Sequence, residues 1–300
     1  MSAGALVLAW VAGLFSFGAA AIAVYAARKP DEGRELWRVF ASTVVIAAAF
    51  LVPAGIHPWL FSAVVAAAAW RCAFELAATY GIRVGAAGHA ALAAAAAGAV
   101  WWGAQGDAAS STALLAATAA VLALTAPLYL AAFARRPTDF RAGIVAAAFP
   151  LLAAAHLSHL AHARDGFVWL CVLYATVETQ DSMAFLCGRV FGRRRVLPRL
   201  SPNKTLEGAI AGACCGVSVG AGMAWGLLHL APAAAVGVGA LVMTAGFCGD
   251  LFTSALKRAA QVKDFPRLHR LHGGLLDIYD STLFAAVPLS IITAFAVPPI

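Results

Sequence analysis

Charged side chains are scarce in this 300-residue chain: Asp, Glu, Lys and Arg make up 12% of it, whereas hydrophobic residues make up 62%. A soluble domain needs a far more polar surface, so this composition excludes an ordinary globular protein. It indicates that lipid is the solvent for most of the chain.

The sequence also lacks cysteine motifs and a basic N-terminal region, which excludes further classes of protein. The six cysteines all fall in apolar segments and have no spacing typical of a zinc site or a disulfide framework. We therefore interpret them as small buried hydrophobic residues. The first apolar segment is preceded by Met-Ser-Ala-Gly, which contains no basic residue. Because a secretory signal peptide begins with a basic region, we expect this segment to be a retained helix.

Long apolar segments fill most of the remaining sequence. A helix needs about 20 mostly apolar residues to cross a bilayer, and about ten segments meet this requirement. We therefore predict an all-α polytopic integral membrane protein with about ten transmembrane helices. The predicted helices cover residues 5–27, 37–54, 57–80, 88–104, 112–134, 141–162, 166–190, 206–230, 232–256 and 279–298.

The basic residues alternate between the two sides of this predicted bundle. All but two of the 21 Lys and Arg residues lie in or beside the odd-numbered connections between helices; the exceptions are Arg71 and Arg164. The positive-inside rule then places the odd connections in the cytoplasm and both termini outside it. The net charge of +7 is explained by topology and contact with lipid headgroups, so we expect no nucleic acid partner.

Acidic residues stand out near the C-terminus. Asp250, Ser254 and Lys257 have i, i+4, i+7 spacing and share one stripe of a helix, and Asp277 and Asp280 share a face of the last helix. Carboxylates from two helices, combined with lysines, suit a metal-bound polyphosphate. A solvated basic loop with snorkelling helix ends is the alternative, but it does not explain an acid at the end of an apolar run, where burial is costly.

More cations and two glycines lie between these acids. Arg258, Lys263 and Asp264 precede a short connection, and Gly273 and Gly274 follow it. Glycine allows the backbone to approach a ligand closely or to turn with positive φ. The whole stretch therefore predicts a site for an anionic ligand.

A second polar motif is "SPNKTLEG", from Ser201 to Gly208. Pro202 interrupts regular secondary structure, and a capped helix start beside Lys204 would form an anion site. Plain helix capping explains the same residues equally well. Further upstream, Glu178 and Asp181 lie three residues apart in an apolar segment, where acids are usually functional.

Two weaker features remain open. Arg71 and Glu75 have i, i+4 spacing within a predicted helix, and we interpret them chiefly as a neutralising pair. His156, His159 and His162 could bind a metal, but an interfacial polar stripe is the favoured interpretation.

The spacing S-x-x-K-R-x4-K-D-x7-HGG-x2-D-x2-D resembles the signature of the phosphatidate cytidylyltransferase family, also called CDP-diacylglycerol synthases. "GDLF" before it, "SPNKTLEG" and "DSMAFLCGRVFG" resemble other blocks of that family, in the same order. The resemblance covers residues 181–281. Four ordered blocks with fixed spacings are a specific signal.

The resemblance implies a membrane enzyme that converts CTP and phosphatidate to CDP-diacylglycerol and pyrophosphate, with Mg²⁺ as cofactor and a second cation left open. It implies a C-terminal catalytic region over 166–300 and a helical scaffold or lipid-facing region over 1–165. Its implied metal ligands are Asp250 and Asp277. It also implies catalytic roles for Lys257, Arg258, Lys263, Asp264, His272 and Asp280, and substrate contacts for Ser201, Lys204, Ser254, Gly273, Gly274 and Asp181.

The sequence also departs from the family pattern. Ile278 stands where the family has an arginine beside the acids, Pro266 replaces a glycine, and Arg270-Leu271 replaces Pro-Gly. A paralogue that acts on another lipid phosphate, a CTP-dependent lipid kinase and a synthase for an isoprenoid lipid are kept as alternatives. A secondary ion-coupled transporter is also kept, because four buried acids could form an ion path: Glu75, Glu178, Asp181 and Asp250. We expect a multi-pass protein of the bacterial inner membrane with its site facing the cytoplasm, and a homodimer is left open.

Overall fold

The computed structural model describes residues 3–106, 108–134, 140–198, 200–266 and 273–296. Within these ranges the chain forms ten α-helices and one short hairpin. The helices are α1 (Ala3–Arg28), α2 (Pro30–Ile56), α3 (Pro58–Thr79), α4 (Ala86–Ala104), α5 (Ala108–Ala134), α6 (Phe140–His162), α7 (Gly166–Phe191), α8 (Leu206–Leu228), α9 (Pro232–Ala259) and α10 (Leu275–Ala296). Antiparallel strands β1 (Arg195–Leu197) and β2 (Ser201–Thr205) form the hairpin between α7 and α8.

Each predicted apolar segment corresponds to one of these helices, which confirms an all-α architecture for the described residues. Among the residues that the structure describes, six helices are long and apolar enough to cross a membrane: α1, α2, α3, α8, α9 and α10. The largest shifts in boundary are at the starts of α2, α5 and α10, and the residues at the starts of α2 and α10 explain two of them. Pro30 at the first turn and Asp277 near the helix start are favourable there, so these helices begin before their apolar windows do.

A stripe of glycines brings α8 close to its neighbours. Gly208, Gly212, Gly216 and Gly220 recur every fourth residue and are all buried. A Cβ atom on Gly212 would lie 2.5 Å from the carbonyl oxygen of Gln180 on α7. Small residues at this spacing allow two helix backbones to approach closely, which lets helices associate without a hydrophobic driving force between them.

A polar network lies inside the bundle. His156 of α6 hydrogen-bonds through its two ring nitrogens to Ser290 of α10 and Thr118 of α5. His156 is 1% exposed and His159 is also buried. The prediction of an interfacial stripe is therefore wrong for these two histidines, because both are buried within the bundle.

The hairpin was not predicted from the sequence. β2 begins at Ser201, and the predicted helix cap is present at its end: the Thr205 hydroxyl accepts a hydrogen bond from the Gly208 amide at 3.2 Å. Leu200 is buried against Ala255 and Ala259 at the end of α9. This contact holds the hairpin over the C-terminal end of α9.

Candidate active site

The polar residues of β2 and α9 meet at an ion pair. The Lys204 ammonium from β2 contacts Oδ2 of Asp250 on α9, and its Nζ lies 4.9 Å from the ring centroid of Phe247. The Ser254 hydroxyl lies 3.4 Å from Oδ1 of the same aspartate. The pair is partly accessible, with 26% of the lysine side chain and 24% of the aspartate side chain exposed.

A second ion pair joins α9 to α10. Nζ of Lys257 lies 2.6 Å from Oδ1 of Asp277. The other oxygen, Oδ2, accepts hydrogen bonds from the backbone amides of Phe265 at 3.0 Å and Gly274 at 2.9 Å. Three donors thus fix this carboxylate, and it closes the first turn of α10 in the way that an acid at the third helical position does in a capping box.

The next acid on α10 is more deeply buried. Asp280 is 7% exposed, and its Oδ2 accepts a hydrogen bond from the Thr253 hydroxyl of α9 at 2.5 Å. Its Oδ1 accepts one from the Ser281 amide at 2.6 Å. The Ser281 side chain also hydrogen-bonds to Asp181 of α7. The acids of α7 and α10 are therefore neighbours.

These groups form one electrostatic cluster. Asp280 interacts with the charges of both Lys257 and Lys204, and Lys204 also interacts with Asp181. Burial lowers the pKa of the Lys204 ammonium from its ordinary value, and the neighbouring carboxylates of Asp181 and Asp280 oppose that change. An anionic ligand that entered here could replace the carboxylates as the partners of Lys204 and Lys257.

The family comparison decides what kind of protein carries this cluster. The sequence model of the cytidylyltransferase family matches residues 35–296. The chain belongs to the cytidylyltransferase family. The match includes every member of the cluster, all but the first residues of α2, and all the later helices.

Curated relatives are similar to this chain over a shorter region. An uncharacterized protein named YnbB from Escherichia coli (strain K12) is 39% identical over 123 residues, which cover 41% of each chain. A phosphatidate cytidylyltransferase from Chlamydia trachomatis serovar D is 35% identical over 127 residues, or 40% of this chain and 41% of that protein. One from Staphylococcus aureus (strain COL) is 33% identical over 43% of this chain and 50% of that protein. The aligned region thus spans about two fifths to one half of these relatives.

The predicted site residues fall into three groups in this family member. Asp181, Lys204, Asp250, Ser254, Lys257, Gly274, Asp277 and Asp280 are members of the cluster or contact it directly. Gly273 lies against Asp277, since a Cβ there would fall 2.2 Å from Oδ2. Ser201 lies at the start of β2, and Lys263 and Asp264 are exposed on the connection after α9. His272 is outside the described residues.

Arg258 has a different environment from its lysine neighbour. Its guanidinium donates hydrogen bonds to the carbonyl oxygens of Leu200 at 3.3 Å and Val262 at 3.0 Å. These contacts connect the hairpin to the end of α9. A role in phosphate binding stays a prediction for Arg258, whereas its contacts support the position of β2 and therefore of Lys204.

Two contributors to the cluster were missed by the sequence reasoning. Thr253 lies on the same helical stripe as Asp250 and Lys257, at i+3 from the aspartate, so the i, i+3, i+7 spacing could have identified it. The amide of Phe265 could not have been identified in this way, because a backbone donor has no sequence signature. The interaction of Lys204 with Phe247 was equally hidden, since it depends on the fold of the hairpin.

Proposed function

We propose that the cluster transfers a cytidylyl group from CTP to phosphatidate, producing CDP-diacylglycerol and pyrophosphate. The observation that carries this proposal is the meeting of two lysine–aspartate pairs, Lys204–Asp250 and Lys257–Asp277, from three separate elements. Family membership and the printed names of the Chlamydia and Staphylococcus relatives support the choice of reaction.

The reaction asks mainly for charge neutralisation and positioning. A phosphate oxygen of phosphatidate attacks the α-phosphorus of CTP, the bond from that phosphorus to the bridging oxygen breaks, and pyrophosphate leaves with the electron pair. The nucleophile is a phosphate monoester that is already ionised near neutral pH, so it needs no strong base. Lys204 and Lys257 can exchange their aspartate partners for phosphate oxygens and hold the two anions together.

The carboxylates suit Mg²⁺ carried in with the nucleotide. Within the described residues, no group of three or more His, Cys, Asp or Glu side chains is arranged to hold a metal alone. Mg²⁺ is usually bound by one or two carboxylates together with substrate phosphates, and the aspartate oxygens are ligands of the type that it prefers. Bound Mg²⁺ would neutralise charge on the phosphates and the leaving pyrophosphate.

Of the two predicted metal ligands, Asp250 is the better suited. Its Oδ2 has Lys204 as its partner, and its Oδ1 has only the distant Ser254 hydroxyl among the described contacts. Asp277 already receives three short hydrogen bonds. We infer that Asp250 binds the cation directly and that Asp277 holds Lys257 in place, with its own contact to Mg²⁺ requiring that lysine to move to a phosphate.

An apolar cavity of about 460 Å³ offers a place for the lipid substrate. α1, α2, α7 and α8 line it, and its few polar side chains include Glu178 and Ser182 of α7. Asp181 lies between these two residues in sequence and interacts with Lys204. A lipid whose acyl chain occupied the cavity would therefore have its phosphate near the cluster.

The bilayer arrangement belongs to the same proposal. About ten helices cross the bacterial inner membrane, both termini lie outside the cytoplasm, and the cluster faces the cytoplasm, where CTP is available. Residues 1–165 supply scaffold and lipid-facing surface, and residues 166–300 supply most of the catalytic groups. A homodimer and a second cation are compatible with this arrangement.

The test is direct synthesis by the purified full chain. Protein in lipid nanodiscs with Mg²⁺, CTP and phosphatidate is expected to form CDP-diacylglycerol, and Asp277→Asn is expected to abolish product formation because Lys257 loses its charged partner. Circular dichroism and thermal melting check that the variant is folded. Failure of the folded wild type to form a CDP-lipid from phosphatidate or any other lipid phosphate tested would reject the proposal.

A further inference from the structure

The start of α10 is held by an acid from the N-terminal half of the chain. Glu75 of α3 is 0% exposed. Its Oε1 accepts a hydrogen bond from the backbone amide of Leu275 at 2.9 Å, and its Oε2 accepts one from the amide of Leu276 at 3.0 Å. The first amides of a helix have no partner within the helix, and a negative charge at that end is stabilising.

Glu75 replaces a helix cap that the local sequence does not provide. Gly274 lies at the N-cap position of α10 and has no side chain that could accept a hydrogen bond from the following amides. A Cβ on Gly274 would lie 2.4 Å from Oε2 of Glu75 and 2.8 Å from Cβ of Phe265. The glycine is therefore needed so that the carboxylate can reach the helix start, and Asp277 completes the other half of the capping arrangement by accepting from the Gly274 amide.

Two other residues of the same helix end connect α3 to the cluster. Arg71 lies one turn before Glu75, and its Nε is 2.9 Å from Oε1 of that carboxylate. Its NH2 group also approaches the carbonyl oxygen of Pro266 at 3.5 Å. Tyr80, at the end of α3, donates a hydrogen bond to the carbonyl oxygen of Leu256, directly before Lys257, at 3.1 Å. The end of α3 thus contacts the backbone beside both members of the Lys257–Asp277 pair.

We propose that Glu75, held by Arg71, is a positioning residue for the cytidylyl-transfer site: by capping α10 from α3 it fixes Asp277 and, through it, Lys257. This inference rests on the proposed function for its kinetic readout. It gives α3 a role in the site, although residues 1–165 were predicted to be scaffold. Glu75 acts through Asp277, and no contact with substrate is required.

The test compares Glu75→Gln and Glu75→Ala with Ser62→Ala in the full-length protein. Gln keeps one oxygen acceptor for the two amides of α10, and Ala keeps none. Ser62 is a suitable control because it lies on the same helix, is 1% exposed and hydrogen-bonds across to Ser158 at 2.8 Å. All variants are measured per folded molecule, with melting temperatures recorded alongside kcat and the KM for CTP.

We expect kcat to fall by about 10- to 100-fold in Glu75→Ala and by less in Glu75→Gln, as is common when a residue that orients a functional carboxylate is removed. Ser62→Ala is expected to lower the melting temperature and leave kcat unchanged. If the glutamate variants lose stability but keep the wild-type kcat, Glu75 is only structural and the proposal is overturned.

Hydrogen exchange supplies a readout that does not depend on the reaction. In Glu75→Gln, exchange of the Leu275 and Leu276 amides, followed in a peptide that begins several residues before Leu275, should accelerate at least about tenfold relative to the same peptide in Ser62→Ala, because an unprotected helix start opens locally. Unchanged exchange there would overturn the proposal even if kcat had fallen. An inactive wild type with this exchange pattern would reject the proposed reaction and leave the capping role intact.

Discussion

At the scale of single residues, the candidate site consists of lysines and aspartates that pair with one another. Asp250 and Asp277 each neutralise a lysine. Asp280 is more deeply buried, and its carboxylate oxygens accept hydrogen bonds from Thr253 and Ser281. Substrate phosphates can take over the lysines, because a charge-assisted bond to phosphate replaces the one to aspartate. In the proposed reaction, the aspartates would then be available to a cation that arrives with the nucleotide.

Asp250→Asn tests this exchange. The amide would weaken the pair with Lys204 and would be a poorer ligand for Mg²⁺, so we expect activity to fall by about 100-fold or more, a loss typical of removing one preorganised charge contact. Asp165→Asn is the matched control, because that aspartate is exposed and its backbone has a φ of 54°, a conformation that asparagine tolerates. Equal activity of both variants in the CDP-lipid assay would contradict the assigned role of Asp250.

At the scale of secondary-structure elements, close helix packing positions the cluster. α8 approaches α7 through its glycine stripe, and Thr205 caps the start of α8, directly after the strand that carries Lys204. The hairpin is held in turn by Leu200 and Arg258. The position of Lys204 beside Asp250 therefore depends on residues outside the two ion pairs.

Two alanine substitutions on α8 separate packing from helix propensity. In Gly212→Ala the new methyl group would meet the Gln180 carbonyl, and we expect a loss of about 1–3 kcal/mol in stability from overpacking. Gly226→Ala, where nothing lies within 4 Å, should gain up to about 1 kcal/mol from the better helix propensity of alanine. Thermal melting in the same detergent measures both. A Gly212→Ala variant as stable as Gly226→Ala would show that the helices are not in such close contact.

Features that depend on local sequence could be predicted here, whereas contacts that depend on the tertiary fold could not. Long apolar segments predict helices well, so a helix forms near each of the ten expected places in the described residues, although only six of these helices are long and apolar enough to cross a membrane. Asp250, Ser254 and Lys257 lie together on α9, as their spacing predicted. The pairing of Lys204 with Asp250 could not be predicted, because it depends on a hairpin whose register is set by tertiary contacts. The capping of α10 by Glu75 joins residues 200 positions apart, and no local pattern encodes such a contact.

At the scale of the whole molecule, the ion-pair cluster lies at the end of the helix bundle whose connections are rich in positive charge. The sequences of the hairpin and of the connection after α9 are rich in basic residues. Lys204 of the hairpin and the backbone amide of Phe265, after α9, both contact aspartates of the ion pairs. A site at this face would have access both to a soluble nucleotide and to a lipid held between α1, α2, α7 and α8. The protein would thus carry out its reaction where the two substrates meet.

Cysteine accessibility tests the proposed orientation. In a background without native cysteines, Arg164→Cys should react with a membrane-impermeant maleimide added to spheroplasts, because the connection between α6 and α7 is expected to lie outside. Lys263→Cys should react only after permeabilisation, since the connection after α9 is expected in the cytoplasm. The opposite pattern would invert the topology and contradict a cytoplasmic site.

The most direct test of the central claim follows the phosphorus atoms of CTP. Wild-type protein is incubated with Mg²⁺, phosphatidate and CTP labelled with ³²P at either the α or the γ position. Cytidylyl transfer predicts that label from the α position enters the lipid and that label from the γ position leaves in pyrophosphate. Label in the lipid from the γ position would instead identify a lipid kinase, and the absence of label in the lipid from either position would contradict the account.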